Sequence, residues 1–508
     1  MKGLKLMKKI ISVLLALCIC LGLASCGAPM YDNMSEGYPS FSYQGENNET
    51  YNEIIQNQFI STSEEATKAF SLKVDTAAYT NISRYIENGS LPPVDAVRTE
   101  ELINYFEYDM PIDENNDHPF SVITQVARSP FAAGKHMAYI RVKTPDIATE
   151  DLPASNLTFL IDTSGSMYSY DKLPLVMKAF SLLVENLSEK DIVSIVTYAG
   201  SSEVMLDSVR GDRKEIIMDA INSLTAGGST AGSKGIETAY NLAEKNYIEG
   251  GNNRVILATD GDFNVGISST SALEAFISEK RDEGIYLSCL GFGTGNLRDD
   301  MMETLSEHGN GNYSYIDSLY TAQKVLVDEM GANLFTVAKD VKAELQFNTA
   351  TVSEFRLVGY ENRIMSSDEF DDSNKDAGEI GAGTDVIVLV ELILSEGYTE
   401  GTLFDVCIRY KDPETEEQGQ AIYQAAAITE TPDTDYNFAC AVAAFSELLR
   451  GSEFIDNTTA EQIAQCANAN KGADIKGYRA KFIALVAEYI KLDLHTESEI
   501  GKIEQMCI

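Results

Sequence analysis

Positive charge is scarce in this chain. Its 508 residues hold 39 Lys+Arg against 78 Asp+Glu, a formal net charge of −39. Beyond the first nine residues no Lys/Arg cluster occurs, so the basic face that a nucleic-acid binder needs is missing. Histidine is just as thin. His118, His136, His308 and His495 stand isolated and no Cys-x-x-Cys occurs, which argues against zinc sites of the His or Cys type. Cysteines are present but badly placed for a disulfide framework. Cys18, Cys20 and Cys26 sit at the amino terminus, and Cys289, Cys407, Cys440, Cys466 and Cys507 form an odd, dilute set. One pair, such as Cys440 with Cys466, stays open beside the simpler state of buried free thiols. With 44% hydrophobic and 23% charged residues, 36 Gly and 12 Pro, the chain is ordinary globular material of about two to four domains. Its acidity favours solubility, repulsion from anionic polymers and attraction to cations.

The amino terminus reads as a targeting segment. Lys2, Lys5, Lys8 and Lys9 precede an apolar run from Ile10 to Leu23 that is too short to span a bilayer comfortably. Leu23-Ala24-Ser25-Cys26 resembles the bacterial lipobox. That resemblance implies cleavage before Cys26, lipidation of its thiol, and an extracytoplasmic protein anchored to the bacterial cell membrane. Residues 1–25 are thus expected to be a signal peptide. Residues 26–62, rich in Asn, Gln, Ser and Glu without apolar period, are expected to be a tether.

From Leu157 onward, short apolar runs alternate with helical periods. Strands are predicted at Leu157–Ile161, Ile192–Tyr198, Arg254–Ala258, Ile285–Leu290 and Tyr313–Ile316. Helices are predicted at Leu173–Leu187, Lys214–Leu224, Lys234–Tyr247, Ser271–Glu283 and Leu297–Glu307. Such alternation implies a mostly parallel sheet covered on both faces, with ligands at the carboxyl ends of the strands.

Three loops at strand ends or helix starts carry the polar residues: Asp162-Thr163-Ser164-Gly165-Ser166, Gly227-Gly228-Ser229-Thr230 and Thr259-Asp260-Gly261. They offer carboxylates and hydroxyls with no soft ligand, a set suited to a hard divalent cation, Mg²⁺ first, with Mn²⁺ or Ca²⁺ possible. In this order and spacing the loops resemble the metal-ion-dependent adhesion site of von Willebrand factor type A (VWA) domains. The resemblance runs from about Leu157 to Met330 and implies a Rossmann-like α/β fold over residues 153–335. It further implies that Asp162, Ser164, Ser166, Thr230 and Asp260 form the metal site, the two aspartates partly through water. The resemblance also implies Thr230 rather than Ser229, because in the family the ligand Thr stands five residues before the Gly-Ile that opens the next helix, here Gly235-Ile236. A cation held largely by neutral hydroxyls keeps Lewis acidity and gains from an outside anionic oxygen, so the expected partner is a protein presenting Asp or Glu.

The flanks carry the resemblance further. Phe70–Tyr79 reads as a strand entering a helix, Val97–Phe106 as a helix, and Phe120–Val126 and His136–Val142 as strands. These segments, with Gly359-Tyr360-Glu361-Asn362-Arg363 and the stretch Asp376–Gly383, resemble bacterial YfbK-type VWA lipoproteins. Thr384 departs from that pattern, since the resemblance leads one to expect His at this position. Strands are predicted at Val341–Phe347, Phe355–Tyr360, Thr384–Leu394 and Phe404–Tyr410, then amphipathic helices at Asn437–Leu449 and Ile475–Leu492. Ser367–Asp376 is expected to be an exposed acidic loop. The segments 63–150 and 341–508 are expected to join into one β-rich module with carboxyl-terminal helices, the central domain being inserted between them.

No catalytic constellation stands out. Asp162-Thr163-Ser164-Gly165 also resembles the aspartic-protease motif, but no second copy follows and the α/β surroundings do not suit that fold. Gly291-Phe292-Gly293-Thr294-Gly295-Asn296 has Asn at its third glycine position and is expected to be a loop cluster rather than a dinucleotide fingerprint. The chain is therefore expected not to be an enzyme. The competing reading is a metal-assisted hydrolase with Asp260 or Asp262 as base.

Overall fold

The Ser155–Asp162 strand is buried along its whole length, and its side chains divide between two layers of helices. Leu157, Phe159 and Ile161 pack with the helices Leu173–Glu185 and Lys214–Asn222, while Leu160 packs with Gly235–Lys245 and Asp299–His308 on the other face. A strand apolar on both sides can only sit in the middle of a covered sheet. The order across that sheet is Tyr313–Ile316, Ile285–Phe292, Asn252–Thr259, Ser155–Asp162, Ile192–Tyr198, Ser202–Arg210. All neighbours are parallel except the last pair. The chain runs outward from Ser155–Asp162 to one edge, then returns to Asn252–Thr259 on the other side. The crevice between the carboxyl ends of these two strands is therefore the switch point. Ser202–Arg210 was not expected from the sequence. It is an edge strand in which Leu206 alone is buried, so it has no apolar run to announce it.

The computed structural model describes residues 48–73, 75–109, 118–147, 152–228, 234–261, 269–413, 415–425 and 427–506, with side chains as far as Leu492. The signal segment and Cys26 lie outside these residues.

The flanking segments form a single β sandwich. One sheet orders Ile60–Ser61, Val352–Val358, Asp385–Leu394, His136–Lys143 and Ser121–Arg128. The other orders Ile364–Met365, Thr67–Ser71, Thr336–Phe347, Phe404–Lys411 and Gln418–Gln424, with Gly378–Gly381 also paired to Thr336–Phe347. In both sheets, strands from before the central domain pair with strands from after it. Alternation then builds a third layer. Ala138, Ile140, Val142, Val386, Val388 and Val390 point into the sandwich. Their sequence neighbours Met137, Tyr139, Ile387 and Leu389 point out and pack with the helices Ala77–Glu87, Thr434–Arg450, Ala460–Ala469 and Tyr478–Met506. The aromatic residues of the amino-terminal segment are core here, with Tyr79 and Tyr105 stacked at 4.0 Å. Cys289, Cys407, Cys440 and Cys466 are free thiols.

Two expectations need correction. The tether does not extend to residue 62, because the chain is docked from Asn48 onward. Asn48 N donates to Gly295 O, Asn57 Nδ2 donates to the carbonyls of Leu357 and Gly359, and Ile60–Ser61 adds a strand to the sandwich. Polar side chains misled here because this segment docks largely by hydrogen bonds and charge, its apolar contacts, Phe59 against Phe454 at 5.7 Å and Ile60 against the sandwich core, having no repeating period. Residues 367–371 of the expected acidic loop form a short helix, started by a capping box between Ser366 and Glu369.

Buried charge fastens the central domain to its flanks. Arg98 Nη1 donates to Asp299 Oδ2 at 2.6 Å, and Arg98 Nε donates to Glu101 Oε1 at 2.5 Å. Arg363 donates to Asp75 at 3.2 Å and to Glu307 at 3.0 Å, while Asp75 Oδ1 accepts the Tyr313 backbone N–H. Removing one member of such a group strands a buried charge at a cost of about 3–5 kcal/mol.

The docked amino-terminal strap has its own ion pair. Glu49 accepts from both terminal nitrogens of Arg84 at 2.7 Å, from Tyr85 at 2.5 Å and from the Gly295 N–H at 2.9 Å. Burial alone would raise its carboxyl, but the Arg84 guanidinium and these donors hold it at about 2, below its ordinary 4.5. The folded state thus binds the Glu49 proton less tightly than the unfolded chain. Its stabilisation is present above about pH 4.5 and is lost as pH falls toward 2. Glu49→Gln is expected to cost about 2 kcal/mol at neutral pH. In urea unfolding at a series of pH values, the gap to the natural protein should narrow through that window.

Candidate metal centre at the strand ends

The site grows from three chain segments meeting at the switch point. Asp162 is the last residue of its strand and lies in register beside Tyr198, the last residue of the neighbouring parallel strand. Both are fully buried. Asp162 Oδ1 accepts the Ser164 N–H at 2.8 Å, and Oδ2 accepts the hydroxyls of Thr259 at 2.9 Å and Tyr198 at 3.3 Å. Burial pushes the Asp162 carboxyl up to about 6, aided by the nearby charge of Asp260 and opposed by the hydrogen bonds from Ser164 and Thr259. Burial, and then the charge of Asp162, pushes the Tyr198 hydroxyl well above its ordinary range, so it remains a donor.

The two serines leave the strand on a short turn. Ser164 is buried and Ser166 is exposed, and their hydroxyl oxygens lie 2.9 Å apart. The two hydroxyls hydrogen-bond to each other, and since adjacent ligands of an octahedral cation with bonds near ~2.1 Å stand about 3.0 Å apart, a Mg²⁺ could replace that hydrogen bond without moving either oxygen far. The donor set is wholly oxygen, which fits a hard divalent cation.

The second loop docks directly on the first. Gly227 N donates to Thr163 O at 2.8 Å and Gly165 N to Gly228 O at 3.3 Å. A Cβ on Gly165 would stand only 3.3 Å from that same carbonyl, so the glycines permit the approach. Ser229 and Thr230, which follow directly, lie outside the described residues, as does Asp262.

Asp260, in the third loop, is fully buried and receives the Lys172 ammonium on Oδ2 at 2.8 Å. Lys172 also donates to Asn296 Oδ1 at 3.3 Å. Asn296 ends the glycine cluster of 291–296, whose role is thereby explained. The stem of Lys172 runs across Gly293, where a Cβ would come within 2.4 Å of its carbons. Gly261 has φ +107, and a Cβ there would stand 2.4 Å from Asn296 O. Three loops and the strap at Glu49 are thus packed on one another. Four described site residues, Asp162, Ser164, Ser166 and Asp260, belong to these loops at the switch point. Sequence reasoning placed Thr259 in the third polar loop and Asn296 in the glycine cluster without giving either a role at the site, and it passed over the side chains of Tyr198 and Lys172. Tyr198 could have been found, since parallel register places it at the same strand end.

Comparisons with known proteins follow this geometry. Residues 156–329 match the model for the von Willebrand factor type A domain, 45–139 a model described as von Willebrand factor, and 332–492 one described as uncharacterized protein YfbK, C-terminal. The uncharacterized protein YfbK of Escherichia coli is 42% identical over 460 residues, covering 86% of this chain and 80% of its own. The chain belongs to the YfbK family of VWA-domain proteins. Human inter-alpha-trypsin inhibitor heavy chain H3 is similar over a shorter stretch, 27% identical across 183 residues that make up 34% of this chain and 20% of its own. Among solved structures, a von Willebrand factor type A protein from Catenulispora acidiphila aligns with 75% of this chain and 90% of its own, at 17% identity and a TM-score of 0.42. The central α/β domain coincides with the stretch matched by the von Willebrand factor type A model, and the β-rich flanks with the stretches matched by the other two. Thr384 contributes its backbone carbonyl to the Thr144 N–H at 2.9 Å.

Because Gly261 combines a positive φ with backbone atoms in the path of any Cβ, Gly261→Ala should force the Asp260 loop away from Asn296. We expect a loss of about 2–4 kcal/mol in urea unfolding. Gly295→Ala, which has φ +95 but open space around it, should cost less.

Proposed function

We propose that this protein is a lipid-anchored, extracytoplasmic binding protein whose VWA domain holds a divalent cation, Mg²⁺ in the first instance, and through it engages an Asp or Glu of a protein partner in adhesion or envelope-complex assembly. The observation that carries this reading is the pair of serine hydroxyls 2.9 Å apart beside the buried Asp162, where the Asp260 loop converges. Ser164 and Ser166 would bind the cation directly. Asp162 is already engaged on both oxygens by chain donors and would act on it mainly through water. Thr230 would join from the second loop. A bound cation would supply Lewis acidity toward an incoming carboxylate. The chain's own part is to hold the hydroxyls at ligand spacing and to keep Asp162 ionised against its burial.

Membership of a VWA family supports a role in protein interaction. For the competing hydrolase reading, one oxygen of Asp260 is taken by an ammonium, which leaves it poorly placed to accept a substrate proton, while Asp262, the other base named, lies outside the described residues. Location and anchor rest on the lipobox resemblance around Cys26.

Calorimetric titration of Mg²⁺ and Mn²⁺ tests the metal. One-site binding is expected in the natural chain, and its loss in Asp162→Ala and in Ser164→Ala/Ser166→Ala. Binding unchanged in these variants would mean that the loops are structural. The anchor is tested separately by labelled palmitate in a bacterial host. Incorporation is expected in the natural chain, and Cys26→Ser should abolish it and release the protein from the membrane fraction.

A further inference from the structure

Lys172 is an unusual lysine. Long ammonium side chains are normally exposed, held by water and free to rotate. This residue is only 8% exposed. Its backbone carbonyl accepts from Leu175 N and Val176 N, so it starts the Leu173–Glu185 helix and is fixed at its root. Its stem is fixed along its length by the floor of Gly293, where any side chain would collide with Cγ and Cε. Its head is fixed by Asp260 Oδ2 and Asn296 Oδ1. The three constraints come from three separate stretches of chain. Together they place one positive charge permanently against the Asp260 carboxylate.

We propose that Lys172 is a built-in counter-cation of the strand-end site. It claims one oxygen of Asp260, so that a divalent cation on the serine hydroxyls shares that carboxylate with a fixed ammonium. This rests on the metal reading above and deepens it. Without Lys172, the cation would meet the Asp260 carboxylate with this ammonium removed, beside the buried and hydrogen-bonded Asp162. With it, the Asp260 charge is already neutralised in part, and the ammonium opposes any cation that approaches that carboxylate. Metal affinity is thereby lowered while the metal's residual positive charge is kept. That residual charge is what makes an outside carboxylate a favourable ligand. The same ammonium keeps the buried Asp260 compensated when no metal is bound. Lys172 is thus a positioning and tuning residue, and the class of ligand it selects for is an anionic oxygen from a partner.

The test is a double-mutant cycle of Lys172→Met and Asp260→Asn in the purified full chain. Affinity is read by calorimetry with Mg²⁺ and Mn²⁺, and melting is followed with and without metal. Lys172→Met is expected to tighten Mg²⁺ binding about tenfold. In the Asp260→Asn background the same substitution should change affinity less than twofold, since the charge that Lys172 balances is gone. Without metal, Lys172→Met should melt lower than the natural protein, and saturating Mg²⁺ should raise its melting temperature more than it raises that of the natural chain. A purely structural lysine would weaken binding in both backgrounds. Unchanged or weaker binding in Lys172→Met, or equal tightening in the Asp260→Asn background, would overturn the proposal while leaving the metal site standing. No metal binding by the natural chain or by Lys172→Met would overturn the metal reading and this proposal together. If Lys172→Met fails to fold, Lys172→Gln, which keeps a hydrogen-bond donor but not the charge, takes its place in all corners of the cycle and is read by the same outcomes.

Discussion

A carboxylate buried at the end of a buried strand must be satisfied by the chain around it, and the functional end of this molecule is arranged to do so. Asp162 has no solvent exposure, and its carboxyl is pushed up to about 6 by that burial. Its two oxygens are met by a backbone N–H two residues on, by the last side chain of the next strand and by a threonine from the strand on the other side. Those contacts fix the first turn of the Ser164–Ser166 loop and tie it to the ends of both neighbouring strands. An ionised side chain in a low-dielectric setting is costly to leave unpaired, so these contacts hold Asp162 and the turn that follows it in place.

The same logic repeats at larger scale. The central domain is inserted between two halves of a sandwich, and neither half can close a sheet without the other. The joints are buried arginines, Arg98 and Arg363, each clasping carboxylates from a different segment. The strap beginning at Asn48 extends this coupling to the site itself, since Glu49 joins Arg84 of the helical layer to the glycine loop under Lys172. The strand-end site therefore sits on a domain braced by its flanks. Such rigidity suits a site whose ligands must stand at defined spacing.

Much of this was legible in the sequence. Strands such as Ile192–Tyr198 and Tyr313–Ile316 coincide with their apolar runs, because a covered parallel sheet needs unbroken hydrophobic segments. The Asp-x-Ser-x-Ser loop was also readable, since its donors lie within five residues and local geometry settles their relation. Elements with one buried side chain, such as Ser202–Arg210, and segments docked by polar contacts, such as residues 48–62, left no periodic signal. The helix Ala460–Ala469 was passed over as well, for it buries only Ala460, Ile463 and Ala467.

By itself the sequence determined the α/β class, the order of the elements and the types of oxygen donor at the strand ends. These follow from hydrophobic period and short-range spacing, which are properties of neighbouring residues. Tertiary structure alone decided which distant residues meet there. Lys172 reaches Asp260 across 88 positions, and Glu49 reaches Gly295 across 246. Such pairings depend on how sheets stack and loops cross, and a charge shows its partner only once folding has removed it from water.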